Sequence, residues 1–172
     1  MLTERQQSMV DLFQKHMSAE LEGDLDTTMA TMSETPHLNH VPTMAGGDGR
    51  DGVHAFYRYH LVGRFFPPDV QIESLSRTVG ESSIVEELYI RMTHTTVIDW
   101  LVPGVEPTGK VIEVAVVAVV GFDGDKISHE HIYWDQASVL AQIGLLDPKG
   151  LPICGAESAR KLRDPKIPCR QF

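Results

Sequence analysis

The sequence has 172 residues, of which 42% are hydrophobic and 23% are charged, a composition typical of one folded domain and not of a disordered chain. Its formal net charge of −9 repels nucleic-acid phosphates and anionic lipids, and no cluster of lysine and arginine offers a local exception, so neither is expected as a partner. The N-terminal residues lack the basic and apolar segments of a secretory signal, and no apolar run reaches the roughly 18 residues of a membrane span. We therefore expect a cytoplasmic protein.

The first third of the chain carries helical patterns. Apolar residues recur at helical spacing over residues 3–16, 25–33 and 53–61, which predicts three helices. The Pro- and Gly-rich segment between the second and third has room for one short strand at 38–41, followed by Gly46-Gly47-Asp48-Gly49. This glycine run lacks the spacing and the strand-to-helix context of a nucleotide-binding loop, so we interpret it as a structural loop.

The rest of the domain predicts a sheet. Residues 70–79, 83–100, 111–122 and 126–135 have strand patterns separated by turn residues, and Asp123-Gly124 is a strong hairpin signal. Helices followed by an antiparallel meander predict an α+β fold, in which a curved sheet covers its helices on one side.

The strand at 111–122 is apolar on both of its faces, so both faces must be covered. Since the three helices cover only the concave face, we expect a second copy of the protein to cover the outer face and form a homodimer. Residues 147–172 form a Pro-rich tail with a short helix at 156–162. We expect this tail to pack on the domain of residues 1–146 or on the partner subunit.

Short motifs follow one another in a characteristic order: N-H-V-P near residue 40, G-R-D-G-V at the third helix, and K-I-S-H-E-H-I-Y-W-D in the last strand. In this order they resemble the SnoaL-like polyketide cyclase family of the nuclear-transport-factor-2-like superfamily, over residues 5–146. The segments S-R-T-V-G and I-Y-W-D-Q-A-S-V-L-A-Q-I-G-L-L-D-P look like a subgroup that is sometimes joined to dienelactone-hydrolase-like domains. The resemblance implies a cone-shaped, curved antiparallel sheet packed on the N-terminal helices around one apolar pocket.

Alternation along the last strand decides which polar groups reach that pocket, because residues two apart share a face. One face carries Ser128, Glu130, Ile132 and Trp134. The resemblance favours this face, because the acidic pocket residue of limonene-type epoxide hydrolases falls at the position of Ile132. Since Ile132 has no acidic group, we predict that Glu130 replaces it as a general acid or base whose pKa is raised by burial. A structural salt bridge or exposure to solvent is the alternative for Glu130.

Two histidines complete the predicted catalytic groups. The same resemblance places His40 where a polar group holds water or substrate, so His40 and Glu130 would form a proton-transfer pair, with a structural histidine at the core edge as the alternative. His94 lies on the more apolar face of the 83–100 strand and is predicted as a third pocket group, provided that no β-bulge changes the alternation. The pocket wall is expected from Asn39, Phe56, Tyr59, His60, Met92, Val114, Val116, Ile132 and Trp134.

Cysteines and histidines also bear on metal binding. Cys154 and Cys169 lie outside any C-x-x-C spacing and are interpreted as reduced thiols, with a disulfide in the tail as the alternative. His129 and His131 lie two residues apart on one face of a strand, a spacing that suits zinc. That face points away from the predicted pocket and a third ligand is unspecified, so we expect no metal and no other cofactor.

These features favour a cofactor-independent isomerase, cyclase, dehydratase or hydrolase that acts on a small, largely apolar carbonyl, lactone or epoxide compound. The superfamily also contains binding proteins without catalysis, so a non-catalytic ligand-binding or accessory module of a hydrolase pathway is the alternative. The sequence contains no G-x-S-x-G motif, which argues against covalent hydrolysis by a serine nucleophile.

Overall fold

The computed structural model describes residues 1–60 and 65–171 and arranges them as a mixed α+β fold. In chain order the described elements are α1 (Glu4–Glu22), α2 (Leu25–Thr31), β1 (Met32–His40), β2 (Ala45–Asp48), α3 (Gly49–His60), β3 (Gln71–Val79), β4 (Ser83–Thr93), β5 (Val111–Asp123), β6 (Lys126–Trp134), α4 (Gln136–Ile143) and α5 (Glu157–Arg163).

The strands form one sheet in the order β2-β1-β6-β5-β4-β3. Strands β3 to β6 pair antiparallel with their neighbours, as the meander predicts, whereas β1 runs parallel to β6. The edge strands β2 and β3 do not pair with each other, so the sheet curves around the N-terminal helices without closing. The predicted α+β class is confirmed.

Helix α1 packs on the inner face of this sheet. A capping box between Thr3 and Gln6 fixes its start, and Gly23 ends it in the left-handed conformation at a φ of 71°. Phe13 and His16 lie on its buried stripe. Because a buried imidazole is costly unless its nitrogens are hydrogen-bonded, the partners of His16 are central to the site described below.

The Gly-rich run predicted as a loop contains a strand. Ala45–Asp48 forms β2, which pairs antiparallel with β1 at the edge of the sheet. At Gly46 a Cβ atom would lie 1.9 Å from the Leu38 carbonyl oxygen, and at Gly47 it would lie 2.3 Å from the backbone of Gly52 in α3. Only glycine allows β2 to approach β1 and α3 this closely, and this contact between elements leaves no periodic signal in the sequence.

Several predicted boundaries differ from the structure. Helix α1 continues to Glu22, beyond the predicted end at residue 16, and β1 spans Met32–His40 instead of 38–41. The third helix begins at Gly49, before the predicted start, and is described as far as His60, while Leu61 lies outside the described residues. The strand predicted over 83–100 ends at Thr93, whose backbone N–H and hydroxyl both donate to the Asp69 carboxylate, at 3.0 and 2.6 Å. The other predicted strands of the meander are confirmed to within a residue.

Helices also cover part of the outer face. Both α4 and α5 contact β5, and α5 contacts β4 as well. Arg160 of α5 donates to the Glu113 carboxylate, which also accepts from the Tyr89 hydroxyl at 2.6 Å, and Arg163 lies 4.9 Å above the Tyr89 ring. The expectation that helices cover only the concave face is therefore wrong at this end of the sheet, whereas farther along β5 the outward residues are half-buried.

The predictions for the cysteines and for membrane-spanning helices can also be compared with the structure. Cys154 and Cys169 are free thiols, which confirms the reduced interpretation. Within residues 1–60 and 65–171, no helix is both long and apolar enough to cross a membrane.

Candidate active site

A cavity of about 80 Å³ lies between α1, the inner face of the sheet and the segment at Phe65 and Phe66. A single water needs roughly 10–15 Å³, so a small organic molecule has room here. Apolar side chains from α1, from the inner face of the sheet and from the connecting segments at Phe65, Phe66 and Trp100 form most of the wall. Among the described lining residues, Glu20, His40 and Glu130 are the titratable ones.

Glu130 supplies a buried carboxylate to this cavity. It lies on the inner face of β6, and Ile132 and Trp134 follow it on that face. Its Oε2 accepts hydrogen bonds from the Tyr57 hydroxyl at 2.9 Å and from His16 Nε2 at 3.0 Å. Because both bonds end on Oε2, the other oxygen, Oε1, is the one that can serve a ligand.

The protons on His16 follow from its hydrogen bonds. Its Nδ1 lies 2.6 Å from the Thr31 hydroxyl oxygen, and that hydroxyl donates its own hydrogen to the Thr28 carbonyl oxygen at 2.6 Å. Thr31 can therefore only accept from His16, which assigns a proton to Nδ1. The other nitrogen, Nε2, faces Glu130 at 3.0 Å and Glu20 at 3.3 Å, so a second proton there serves two carboxylates.

Burial and charge separate the pKa values in this group, which we call the His16–Glu20–Glu130 cluster. Burial raises the pKa of Glu20 by more than the nearby His16 lowers it. Burial also acts on Glu130, but the charge and hydrogen bond of His16 and the hydrogen bond of Tyr57 outweigh it and lower the pKa of Glu130. The prediction that burial raises the pKa of Glu130 is therefore wrong, because the sequence did not reveal these two partners. Burial would lower the pKa of His16, yet the two carboxylates raise it well above its usual value. Near neutral pH the cluster holds an imidazolium and an ionised Glu130, while Glu20 keeps its proton to a higher pH than an ordinary glutamate.

The same cluster has a donor set that a metal could use. Ligand atoms of His16, Glu20 and Glu130 lie within 4.8 Å of one another. One imidazole and two carboxylates suit a divalent transition metal better than magnesium or calcium. The hydrogen bonds described above show that these positions are equally suited to shared protons.

His40 lines the cavity beside Glu130 without being its direct partner. The parallel register places His40 opposite Ile132, two residues along from Glu130. Its Nδ1 lies 3.1 Å from the Ala45 carbonyl oxygen and donates to it, and burial lowers the pKa of His40 to about 4. The ring is therefore neutral, and Nε2 can accept a hydrogen bond from a hydroxyl or a water but cannot donate one.

His94 is not among the described residues that line this cavity, so the structure does not bear out the prediction that it is a third pocket group. It follows the end of β4, four residues after Ile90, which does line the cavity. Its Nδ1 lies 3.1 Å from the Thr108 hydroxyl.

Some of the predicted wall residues contribute to the cavity. Val116 and Ile132 line it directly. Phe56 and Trp134 pack against the His40 ring, with ring centroids 5.3 and 6.0 Å from it, so they support the wall from behind.

The remaining predicted wall residues lie outside the described lining. Asn39 is on the opposite face of β1 from the buried residues on either side of it. Tyr59 is 53% exposed on α3, and His60 follows it with its ring against Tyr59 and the neighbouring helix residues. Met92 and Val114 are buried in the core outside the described lining, although Val114 pairs with Ile90, which does line the cavity.

Three residues of the site were missed by the sequence interpretation. His16 and Glu20 are four residues apart and continue the apolar stripe of α1, so two polar side chains on a buried helix face were the available signal. Tyr57 belongs to the helical pattern that predicts α3, and nothing in that local pattern shows that its hydroxyl reaches Glu130.

Comparisons with known proteins agree with this fold. The sequence profile of the SnoaL-like domain matches residues 13–130. A protein described as a SnoaL-like polyketide cyclase, from Jannaschia sp. CCS1, superposes with a TM-score of 0.67 at 14% identity, over 86% of this chain and 99% of that one. No protein of curated function matches the sequence significantly.

Two further solved structures are similar. The epoxide hydrolase/cyclase-like enzyme SalBIII, with a role in pyran ring formation in salinomycin, has a TM-score of 0.55 at 16% identity, over 78% of this chain and 95% of its own. A protein of ketosteroid isomerase-like fold from Catenulispora acidiphila DSM 44928, solved with trimethylamine, has a TM-score of 0.59 at 13% identity. The match covers 82% of this chain and 97% of that one. At such identities these likenesses show the fold alone, whereas the profile match covers more than half of the sequence. The chain belongs to the SnoaL-like domain family.

Proposed function

We propose that this protein is a cofactor-independent acid/base enzyme that isomerises, cyclises, dehydrates or hydrolyses a small, largely apolar carbonyl, lactone or epoxide compound. The observation that carries the proposal is a pair of carboxylates, Glu20 and Glu130, at one apolar cavity with opposite pKa shifts. Two acids whose environments separate their pKa values can act as acid and base in one reaction.

Glu130 is the general base in this proposal. Its lowered pKa keeps it ionised near neutral pH, and Tyr57 and His16 hold its Oε2 while Oε1 is left for the substrate. The proton that it removes comes from a carbon beside a carbonyl or from an attacking water. Tyr57 and His16 hold the carboxylate in position before the reaction begins, and in the low-dielectric cavity this lowers the free-energy barrier to proton transfer.

Glu20 is the general acid. Burial raises its pKa, so Glu20 keeps its proton to a higher pH than an ordinary glutamate, and its carboxyl group lies beside the same His16 nitrogen that meets Glu130. It donates to the substrate oxygen that gains negative charge as the bond opens. His40, neutral and with an acceptor at Nε2, orients a substrate hydroxyl or a water.

The cavity also favours neutral substrates. Its described lining consists mainly of hydrocarbon side chains, so a charged substrate would lose its hydration there without a free partner of opposite charge. The names of the structural neighbours, an epoxide hydrolase/cyclase-like enzyme and a ketosteroid isomerase-like fold, support the same reaction classes.

Proton exchange tests this proposal even though the substrate is unidentified. Small cyclic ketones, lactones and epoxides are incubated with the protein in heavy water, and deuterium incorporation and turnover are followed by NMR. We expect activity in the wild type, loss of activity in Glu130→Gln, and retention in Glu113→Gln, a matched control on the outer face. Full activity in a folded Glu130→Gln protein would rule out the assignment.

A second function is favoured by the two hydrogen bonds that Glu130 Oε2 already accepts. Because Tyr57 and His16 already hydrogen-bond this oxygen, the cluster also fits a structural ion pair in a non-catalytic ligand-binding module. Such a module would serve as the accessory part of a hydrolase pathway, in keeping with the dienelactone-hydrolase-associated subgroup. Ligand binding by calorimetry with no exchange or turnover across the whole panel is the result that selects this function.

We also propose that the outer face of β5 joins two copies of the chain. Ala115, Val117 and Val119 project from this face and are half-buried in one chain, beyond the part covered by α4 and α5. Sedimentation equilibrium should give a dimer for the wild type and a monomer for Val117→Asp. A wild-type monomer at micromolar concentration would contradict the proposal.

A further inference from the structure

A surface groove between α1 and β3 adjoins the cavity of the proposed active site. Its volume is about 420 Å³, whereas that of the cavity is about 80 Å³. An engineered cavity of about 150 Å³ holds one benzene molecule, so a substrate larger than benzene must extend out of the cavity. We call the adjoining space the α1–β3 groove.

The described lining of this groove has an apolar part and a polar part. The residues that it shares with the cavity are all apolar: Met17, Leu21, Ile72 and Leu88. The residues that line the groove alone are all polar: Gln14, Ser18, Ser74, Arg77 and Glu86. A molecule that extends from the cavity into the groove therefore meets apolar side chains first and polar side chains at its far end.

A β-bulge directs Arg77 into the polar end of the groove. The register of β3 against β4 shifts between Ser74 and Ser76, and after the shift Arg77 pairs with Glu86. Without the extra residue Ser76 would pair with Glu86, so the bulge moves Arg77 to the inner face of β3. Its guanidinium carbon lies 5.9 Å from the centre of the Phe13 ring, and Phe13 lines the cavity.

Glu86 holds the Arg77 guanidinium in one orientation. Arg77 Nε donates to Oε2 of this carboxylate, and Nη2 donates to Oε1 at 3.1 Å. The Ser74 hydroxyl also donates to Oε1. Because Glu86 is fully buried, water does not compete for these bonds.

This pairing leaves one nitrogen of Arg77 for a ligand. Among the described residues none accepts a hydrogen bond from Arg77 Nη1, and the side chain is 24% exposed in the groove. A carboxylate bound at Nη1 would also approach the negative charge of Glu86. A hydroxyl or carbonyl oxygen accepts the same N–H without that repulsion, so the polar end of the groove favours a neutral oxygen.

The sheet sets the distance between this donor and the proposed reaction. Glu86 pairs with Ala118, and Ala118 pairs with Ile132, which lies two residues from Glu130 on the inner face of β6. Two strand spacings separate Glu86 from Ile132, a distance of roughly 10 Å. A molecule that reaches both places needs two oxygen groups separated by a distance on the order of 10 Å.

We propose that the substrate is an elongated, neutral amphiphile with two oxygen groups, of which one reacts beside Glu130 and the other accepts a hydrogen bond from Arg77 Nη1 in the α1–β3 groove. This inference rests on the proposed function and deepens it, because it names the class of substrate. Arg77 binds the far end of the substrate and takes no part in proton transfer.

The binding of two matched probes tests this inference without turnover. 1-Octanol has one hydroxyl group, and 1,8-octanediol has a second one at the far end of the same chain. Their affinities are measured by NMR through the methyl group of Met17, which lines both the cavity and the groove. We expect the ratio of diol affinity to octanol affinity to fall roughly 10-fold in the double variant Arg77→Met/Glu86→Gln, because a hydrogen bond from a charged donor is lost.

The variants are chosen so that loss of folding does not decide the result. The double variant removes both charges, which leaves no buried carboxylate without its partner. Ser18→Trp changes an exposed position of α1 and fills the polar end of the groove, so it should also remove the advantage of the diol. Glu87→Gln is the matched control, because Glu87 accepts from Ser76 on the opposite face of the same two strands.

A ratio that falls in the double variant and in Ser18→Trp but not in Glu87→Gln supports the inference. An unchanged ratio in all of these proteins overturns it and leaves the proposed reaction in place, since both probes still bind. Failure of both probes to bind the wild type overturns it as well. Failure of the proposed function has a different signature, which is full exchange activity in Glu130→Gln.

Discussion

Glu20 follows His16 by one turn of α1, and its Oε1 lies 3.3 Å from the same His16 nitrogen that meets Glu130 at 3.0 Å. One imidazolium therefore faces two carboxyl groups that come from opposite parts of the chain. Thr31 fixes the other nitrogen of the ring, so His16 cannot turn away from them. The different burial and hydrogen bonding of the two groups then set their pKa values apart, which is the basis of the proposed division into acid and base.

The pH profile of the reaction should change when Glu20 loses its proton-donating group. In the wild type the rate rises with pH as Glu130 ionises and falls as pH rises through the raised pKa of Glu20. We expect Glu20→Gln to lower kcat by roughly 10²- to 10⁴-fold and to remove the falling limb. Glu22→Gln, exposed at the end of the same helix, is the control. A falling limb that survives in Glu20→Gln would assign the acid to another group.

Stability should depend on pH through His16. Its pKa in the folded protein is raised above the usual 6.5, so the stability it contributes is fully present below about that pH and is lost as pH rises through the raised value. We expect the free energy of unfolding, measured with urea, to decline over that range in the wild type and in His54→Ala. Removing one partner of a buried ion pair should make His16→Ala less stable by about 3–5 kcal/mol. If the free energy of unfolding still declines over the same pH range in His16→Ala, His16 is not the origin of the pH dependence.

Two substitutions of His40 should distinguish the structural role of Nδ1 from the proposed functional role of Nε2. Asparagine can place an N–H near the position of Nδ1 and keep the bond to Ala45, whereas glutamine reaches toward the position of Nε2 in the cavity. We therefore expect His40→Asn to keep stability and lose kcat, and His40→Gln to lose stability and keep more of kcat. Because burial lowers the pKa of His40 to about 4, neither variant should move the neutral part of the rate profile. Equal losses in both variants would show that His40 acts only through packing.

Glu113 should stabilise the contact between α5 and the outer face in a pH-dependent way. Its hydrogen bond with Arg160 lowers its pKa from 4.5 to about 2, so its contribution is present above 4.5 and is lost as pH falls toward about 2. The wild type should be more stable than Glu113→Gln near neutral pH, and the difference should shrink on acidification. A difference that stays constant down to the acid limit would show that the charge of Glu113 is not its source.

Local patterns predicted much of this fold, because each depends on neighbours in sequence. The helical stripe of α1, the alternation of β6 and the Asp123-Gly124 hairpin all appear in the structure where periodicity and turn chemistry indicate them. Contacts between distant elements were not predictable in this way. The close approach of Gly46 and Gly47 to β1 and α3 turns a predicted loop into a strand, and only the assembled sheet shows it.

The candidate site was predictable on the strand side and not on the helix side. Alternation on β6 identifies the face of Glu130, but the carboxyl partners of His16 depend on how α1 crosses the sheet. The error at His94 has a different origin. Asp69 binds Thr93 and the strand ends there, an interaction across 24 residues that no local pattern reveals.

The titration of the two cavity carboxyl groups by carbon-13 NMR tests the central claim most directly, with Glu20→Gln and Glu130→Gln used to assign the signals. We predict that Glu130 titrates below the usual glutamate value and Glu20 above it, and that replacing either residue shifts the pKa of the other. If both groups titrate independently at the usual value, the proposed division into acid and base is wrong.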